Sequence, residues 1–228
     1  MTDLTSFPRP SVAVDVAVLT VADDRLSVVV WRRTGRTATG EWALPGSFLR
    51  ERERLDDAVA RTLRDKCRIR GLAPTQLRVM DDPARDDRGW VLSVAHLDVV
   101  PGSAIADRGP EGEVRLAPVR SERAGGRRRS MLELPDGQAW LPFDHEDIAR
   151  LAVAELRIRY ADHPDPAGLL GDRFTILQLR RLHEAIAGTA LQKDSFRRAM
   201  LPHLERLPEI EEGVVGRPAH VFRRRRVA

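Results

Sequence analysis

The sequence predicts an α+β protein in which a mixed α/β first part is followed by a helical last third. Valine recurs at alternate positions between Ser11 and Val21, which is the period of a strand with one buried face. Apolar residues recur at every fourth position between Leu55 and Ile69, as in an amphipathic helix. After Phe143 the apolar residues follow a helical period to the end of the chain. Two architectures therefore follow one another.

Further apolar runs extend the predicted sheet. Residues 26–31 follow the first strand after Asp23-Asp24, and two apolar runs joined by a short polar turn predict a hairpin. Strands are also expected at residues 76–80 and 90–100, and another at residues 114–119. The predicted sheet is therefore formed largely by antiparallel neighbours.

The segment from Ala124 to Gln138 is predicted to be a surface excursion. Gly125-Gly126 and the three arginines after it show no apolar period. Residues 135–137 have the Pro-Asp-Gly composition of a turn. We therefore expect this stretch to leave the core.

The last third predicts a pair of helices joined by a tight turn. Thr175 is the expected N-cap of the first helix, because Gln178 three residues later completes a capping box. Gly188 is the expected end of this helix. A second helix is expected over about residues 192–204, with apolar residues at every fourth position from Phe196. This arrangement is typical of a helix-turn-helix.

Two segments flank this helix pair. Before it, a helix with Asp144 as its expected N-cap ends at His163-Pro164-Asp165-Pro166, which indicates a linker or turn. After it, a glycine- and proline-rich turn over residues 213–218 leads into residues 219–222, which favour a strand. Helix pairs occur in many small helical domains. The turn and strand that follow this pair, which end in the arginines of residues 223–226, form a candidate basic wing. This wing is what favours a winged helix here.

The composition is that of a globular chain. Its 228 residues are 42% hydrophobic and 32% charged, and no apolar run approaches the roughly 18 residues of a membrane span. The first ten residues lack the apolar core of a secretory signal. The single cysteine, Cys67, excludes an internal disulfide and a cysteine zinc site. We expect a cytoplasmic protein with no membrane partner.

Charge is distributed unevenly along the chain. Residues 151–228 hold 14 basic and 10 acidic side chains, whereas residues 1–150 hold 24 of each, so the net charge of +4 lies in the last third. This asymmetry indicates a polyanionic partner for that third. The large excess of arginine over lysine is attributed to codon usage and is not taken as a sign of nucleic-acid binding.

The segment over residues 47–69 resembles a Nudix box, a loop-helix-loop motif of the form Gly-x5-Glu-x7-Arg-Glu-apolar-x-Glu-Glu-x-Gly-apolar. Glu53 and Arg61 match the first glutamate and the arginine of that motif. Ser47 and Arg68 stand where the box has its two glycines. The frame of the box is therefore retained while several of its side chains differ.

Three acidic positions of the box have changed. Thr62 replaces the glutamate after the arginine, and Asp65 and Lys66 replace the glutamate pair. Magnesium needs oxygen ligands, and the carboxylates of a Nudix box hold it against a diphosphate. Glu53 and Asp65 are the residual candidates for metal ligands and make a poor cage alone. We therefore expect no metal site and no efficient hydrolysis, with Lys66 able to neutralise a bound diphosphate itself.

Other motifs extend the resemblance over nearly the whole chain. Residues 85–89, Arg-Asp-Asp-Arg-Gly, resemble the Arg-Asp-Pro-Arg-Gly loop of ADP-ribose-type Nudix proteins. Phe143-Asp144-His145 and Gly216-Arg217-Pro218-Ala219, followed by Val221-Phe222-Arg223, resemble the Nudix-related transcriptional regulators of NAD metabolism. The combination of an altered box with a winged helix ending in Gly-Arg-Pro-Ala is specific to that family.

This resemblance implies a Nudix-like α/β/α sandwich over residues 1–143, a linker helix over residues 144–166, and a winged helix-turn-helix domain over residues 167–228. It implies a homodimer that binds a double-stranded DNA operator and usually represses NAD biosynthesis or salvage genes. The first domain is then expected to sense ADP-ribose or a related nucleotide as its effector, and no cofactor is expected.

The candidate site residues form two groups. Those expected to bind the nucleotide lie on the box, the strand before it and the arginine-containing loop: Arg33, Trp42, Phe48, Arg50, Lys66, Arg85 and Arg88. Those expected to bind DNA lie on the second helix of the pair and on the wing: Lys193, Ser195, Arg197, Arg198, Arg217 and Arg223. Trp42 has a second interpretation as a core residue that caps the sheet, and His145 is interpreted as a buttress of the linker helix.

Two other functions remain open. A divergent ADP-ribose hydrolase with an appended helical domain is disfavoured by the altered box. A ligand-sensing interaction module without DNA contact is disfavoured by the basic wing and the net positive last third.

Overall fold

The computed structural model describes residues 6–105, 113–124, 127–211 and 219–225. Within these ranges, eight strands of the first part form one mixed sheet. They are β1 (Ser11–Ala22), β2 (Arg25–Arg32), β3 (Trp42–Ala43), β4 (Gly46–Phe48), β5 (Thr75–Met80), β6 (Val91–Val99), β7 (Val114–Ala124) and β8 (Arg127–Leu132).

The long strand β1 organises this sheet, whose order is β5-β6-β1-β2-β7-β8 with β4 beside β1 and β3 beside β2. β1 runs parallel to β6 and antiparallel to β2 and β4. The predicted hairpin is confirmed, because Ala22 pairs with Arg25 across a two-residue turn. Asp23 and Asp24 in that turn both have positive φ, at 51° and 54°, which suits the twist of a tight hairpin.

Helices cover both faces of the sheet. On one face, α1 (Leu55–Thr62) continues into a π-helical turn (Leu63–Cys67) and packs against the valines of β1 that the alternation predicted. On the other face, α2 (His145–Arg159) packs against Ala17 and Leu19 of the same strand. The predicted α/β/α sandwich is confirmed.

The position of α2 differs from that of a linker. Ile148, Ala152 and Leu156 are fully buried in the core cluster that includes the sheet. The structure therefore places this helix in the first body, where it covers one face of the sheet. The connection to the last third begins only after Tyr160, which is also buried there.

The predicted excursion at residues 124–138 is in part regular structure. β8 pairs antiparallel with β7 from Val119–Leu132 to Ala124–Arg127, and one turn of 3-10 helix follows (Pro135–Gly137). A strand at the edge of a sheet is held by its backbone ladder and does not require a buried side-chain face. Strand β8 was therefore not predicted, because its run of arginines has no apolar period.

The last third folds as a winged helix. It consists of β9 (Phe174–Thr175), α3 (Ile176–Ala187), α4 (Lys193–Met200), β10 (Leu204–Glu211) and β11 (Ala219–Arg224), with strand order β10-β11-β9. The predicted capping box is confirmed by reciprocal bonds between Thr175 and Gln178. Gly188 ends α3 in the left-handed region at φ 67°, also as predicted.

The second helix of the pair ends earlier than its apolar period predicts. Pro202 lies in a 3-10 turn (Leu201–His203) that follows Met200, and proline cannot donate the amide that a continuing helix needs. Leu204 is buried as expected, but it starts β10. In the described part of the chain, no helix is long and apolar enough to cross a membrane.

Candidate functional site

A cavity of about 260 Å³ opens where β1 and β4 meet the start of α2. Four cationic and two acidic side chains line it, so its lining is net positive. The complete lining is Ala13, Asp15, Arg33, Gly46, Ser47, Phe48, Lys66, Arg85, Asp86, Arg88, Val91, Phe143 and His145.

Two of these cations lack an acidic partner. The ammonium of Lys66 donates to the backbone carbonyl of Gly46 and lies 4.0 Å from the centre of the Trp31 ring. The guanidinium of Arg33 lies 4.9 Å from the centre of the Phe143 ring. Neither residue takes part in the ion pairs formed among the described residues. Burial, with the charge of Arg33, lowers the pKa of Lys66 to about 8, as expected for a cation without a counter-ion.

The other two cations are already paired. Arg88 forms a bidentate bond to Asp86, at 2.8 and 2.6 Å, and lies 5.3 Å from both the Phe48 and the Phe143 rings. Arg85 is only 8% exposed, and two carboxylates hold it. Asp144 accepts from it at 2.7 and 2.6 Å and Asp15 at 3.2 Å.

Asp15 connects this cluster to α2. It is buried beside Arg85 and accepts from Ser93 Oγ at 2.6 Å and from His145 at 3.2 Å. Although burial raises the pKa of Asp15, the hydrogen bonds from His145 and Ser93 and the charge of Arg85 hold that pKa well below its ordinary value. The carboxylate of Asp15 also explains Gly46, because a Cβ there would lie 1.8 Å from Asp15 Oδ1.

The first residues of α2 serve the cavity. Asp144 is the N-cap by position, as predicted. Its side chain makes no cap bond and instead accepts hydrogen bonds from Arg85. The backbone N–H of Leu44 donates to His145 Nδ1 at 3.1 Å, so Nε2 carries the proton that is shared with Asp15. His145 is therefore a buttress between the start of α2, the sheet and the box loop.

The altered box has its own internal bonds. Both carboxylate oxygens of Glu53 accept from Arg61, at 2.7 and 2.8 Å, and one of them also accepts from the backbone of Arg50. The Arg61 hydrogen bond is the main cause that lowers the pKa of Glu53 to about 2. Ser47 Oγ lies 2.5 Å from Thr62 Oγ1.

These residues do not fit the divalent metal that a Nudix box implies. Glu53 and Asp65 are each bound to an arginine and do not line the cavity, and Lys66 is a cation. Within the described part of the chain, one group of side chains has the spacing of a metal site, namely Asp15, Asp144 and His145. The guanidinium of Arg85 already bonds to both of its carboxylates.

The structure separates the predicted nucleotide-binding residues. Five of the seven line the cavity, namely Arg33, Phe48, Lys66, Arg85 and Arg88. Trp42 is 3% exposed, and its indole N–H donates to Asp136 at 3.1 Å, so it belongs to the core. Arg50 is exposed outside the lining. Sequence reasoning missed Asp15, hidden in a valine-rich strand, and Phe143, whose ring contacts depend on the fold.

A second candidate surface lies on the winged helix. The residues predicted on the second helix, Lys193, Ser195, Arg197 and Arg198, are all exposed on α4. A groove of about 550 Å³ runs between α3, α4 and β11, and Lys193 and Arg197 line it together with Arg180 and His220. Ser195 lines a different groove, on the side of α4 that faces Tyr160.

The wing is only partly described. Arg223 is exposed and pairs with Glu205 at 2.9 Å, so its charge is balanced within the hairpin. Arg217 lies outside the described residues. Arg180 and His220 were not predicted, because only the packing of α3 and β11 around α4 brings them to the groove.

Helix α2 also reaches the winged helix at its far end. Arg157 donates to the carbonyl of Ile186 near the end of α3, and to Ser121 and Ser130 of β7 and β8, each at 2.9 Å. Close by, the buried carboxylate of Asp165 accepts from Tyr160 at 2.7 Å and from Arg224 of β11 at 2.9 Å. The same helix thus touches the cavity at one end and the winged helix at the other.

A Nudix-like sandwich with an altered box, joined to a winged helix, defines a two-domain protein with a ligand cavity and a nucleic-acid-binding module. Comparisons with known proteins agree with this class. Residues 166–224 match the NrtR DNA-binding winged helix domain. The ADPR responsive transcriptional repressor NtrR of Acinetobacter baylyi is 28% identical, over 95% of this chain and 83% of that protein.

Solved structures give the same result. The crystal structure of Shewanella oneidensis NrtR complexed with a 27mer DNA has a TM-score of 0.73 at 26% identity, covering 94% of this chain and 93% of that one. A MutT/nudix family protein from Enterococcus faecalis shares the fold, with a TM-score of 0.74 at 23% identity over 98% of this chain and 90% of that one. The chain is therefore similar to NrtR-type Nudix regulators over both of its parts.

Proposed function

We propose that this protein is a transcriptional repressor of NAD biosynthesis or salvage genes whose DNA binding is controlled by ADP-ribose or a related nucleotide. The observation that carries the proposal is the pairing of a cation-lined cavity with a winged helix through one helix, α2. The relatives named as an ADP-ribose-responsive repressor and as a DNA complex support it. The cavity is at the small end for a ligand site, so it suits the diphosphate and one adjoining sugar better than the whole nucleotide.

Loss of efficient hydrolysis is part of this proposal. Hydrolysis in a Nudix box needs carboxylates that hold metal against the diphosphate. Here Thr62 uses its hydroxyl on the Ala58 carbonyl, and the Glu53 carboxylate is bound to Arg61. Glu53 and Asp65, the acidic residues that the box retains, both lie outside the cavity lining.

We also propose that the protein acts as a two-fold symmetric homodimer on a pseudo-palindromic site. A single winged helix contacts few base pairs, so useful specificity needs two copies. Sedimentation of the protein with operator duplex should show two chains per site. A single chain that binds a half-site at full affinity would contradict the dimer.

The decisive experiment is a gel shift with DNA upstream of the protein's own gene and of neighbouring NAD-pathway genes. We expect specific retardation and a change in affinity on adding ADP-ribose of at least about fivefold, the lower end of ordinary coupling between sites. The alternative, a divergent hydrolase, predicts no specific shift and a turnover of about 1 per second or more with magnesium.

A further inference from the structure

We propose that Lys66 takes the place of the divalent cation in this Nudix-like domain, so that the cavity binds the diphosphate of its nucleotide without metal. The inference rests on the proposed function, since it concerns how that nucleotide is held. It gives a binding role to Lys66, which stands where the Nudix box has a metal-binding glutamate.

The position of Lys66 is fixed by the cavity wall. Its ammonium donates to the carbonyl of Gly46, at the start of β4, and lies over the ring of Trp31 from β2. An ammonium has three donors, and Gly46 accepts one of them. The side chain is half-buried and lines the cavity. A lysine held in this way presents a fixed positive charge to whatever enters.

The charges of the lining match a diphosphate. Asp15 and Asp86, the acidic lining residues, are both bound to arginines of the same lining. Arg33 and Lys66 thus contribute two positive charges that no ion pair among the described residues balances. Each phosphate of a diphosphate diester carries one negative charge. Because partly buried cations without partners are costly, such a site favours an anion over water.

The carboxylates and hydroxyls of the box that could otherwise bind a metal are already hydrogen-bonded to neighbouring groups. Glu53 and Asp65 are bound to Arg61 and Arg64. The hydroxyl of Thr62 donates to the Ala58 carbonyl and accepts from the hydroxyl of Ser47. Magnesium demands several oxygen ligands in octahedral geometry, which these side chains do not supply. A lysine needs no ligand set and acts as a point charge on phosphate.

The test is calorimetric titration of the full chain with ADP-ribose, in excess EDTA and in excess magnesium. We expect the same dissociation constant in both, within about twofold, since no metal contributes to ΔG of binding. Lys66→Gln keeps a donor for Gly46 but removes the charge, and it should weaken binding by about tenfold or more. Arg70→Gln is the matched control, because Arg70 is exposed four residues away and does not line the cavity.

The possible outcomes separate the two proposals. If ADP-ribose fails to bind under either condition, the proposed effector is wrong. If it binds only with magnesium, the metal-free site is wrong even though the effector stands. If Lys66→Gln binds in EDTA as tightly as the unaltered protein, the role of Lys66 is refuted. The comparison of EDTA with magnesium uses the unaltered chain and therefore does not depend on the folding of any variant.

Discussion

Truncation of Arg157 should uncouple effector binding from DNA binding. Helix α2 places His145 at the nucleotide cavity and Arg157 against the end of α3. The two residues are twelve positions apart, which is about 18 Å along a helix. Because a helix moves nearly as a rigid rod, a shift at its start on ligand binding reaches the winged helix through the bond of Arg157 to the Ile186 carbonyl, while the same guanidinium also bonds to Ser121 and Ser130 of the sheet.

The size of the effect follows from those bonds. A hydrogen bond that involves a charged group contributes about 1.5–3 kcal/mol. The two serine hydroxyls can exchange this partner for water, so we count one such bond in full, that to the Ile186 carbonyl. Arg157→Ala should then weaken the attachment of α3 to α2 by about 2 kcal/mol. Ordinary coupling between two sites is about 1–3 kcal/mol, so a loss of this size removes most of it.

The assay measures the ratio of operator affinities with and without saturating ADP-ribose. In Arg157→Ala this ratio should fall to within about twofold of unity, while affinity for ADP-ribose alone remains near that of the unaltered protein. Arg159→Ala is the control, since Arg159 pairs with Glu155 on the exposed side of the same helix. Retention of the full ADP-ribose effect in Arg157→Ala would refute transmission through this contact. By reciprocity, DNA should change ADP-ribose affinity by the same factor in the unaltered protein.

Three further outcomes are expected. Arg68→Gly should stabilise the fold by about 1 kcal/mol, because Arg68 has φ 55° where the box has glycine; a thermal melt with no rise in Tm would contradict this. His183 is buried, which lowers its pKa to about 4 from 6.5, so the unfolded chain binds its proton first and stability should fall by up to about 3 kcal/mol as pH drops from 6.5 to 4. Urea titrations should show a smaller fall in His183→Phe, and an equal fall would count against the assignment. Arg197→Ala should lose about 1–3 kcal/mol of operator discrimination, while Ser195→Ala, on the other side of α4, should not; titrations of operator and scrambled duplex would expose equal losses.

The elements that sequence predicts best are those whose signals are local. The alternation in β1 works because Val14, Val16 and Val18 lie on one covered face of the sheet, while Ala17 and Leu19 lie on the other. The capping box at Thr175 works because both of its bonds join residues three positions apart. The acidic hairpin turn at residues 23–24 belongs to the same class, since its geometry depends on two residues only.

The elements that sequence places poorly depend on distant partners. The apolar stripe of α2 shows that one face is buried, but it does not name the surface that buries it. A linker helix and a helix on the sheet have the same period. The predicted nucleotide-binding residues separate into cavity residues and core or surface residues for a similar reason. Trp42 and Lys66 both lie near the box in sequence, yet Trp42 bonds to Asp136 in a distant turn while Lys66 faces the cavity.

The departures from the Nudix box are connected in a way that sequence alone does not show. Thr62 donates to the Ala58 carbonyl, so its bond to Ser47 must use the serine hydroxyl as donor. Thr62 is 1% exposed, and a glutamate there would bury its carboxylate against that hydroxyl and close to the positive charge of Lys66. Restoring a glutamate at position 62 would therefore still leave Ser47 and Lys66, two changed positions that do not suit a metal. The Ser47–Thr62 hydrogen bond and the separate contact of Lys66 with the Gly46 carbonyl each occupy a changed position of the box, and this supports the proposal of a site that binds its nucleotide without metal.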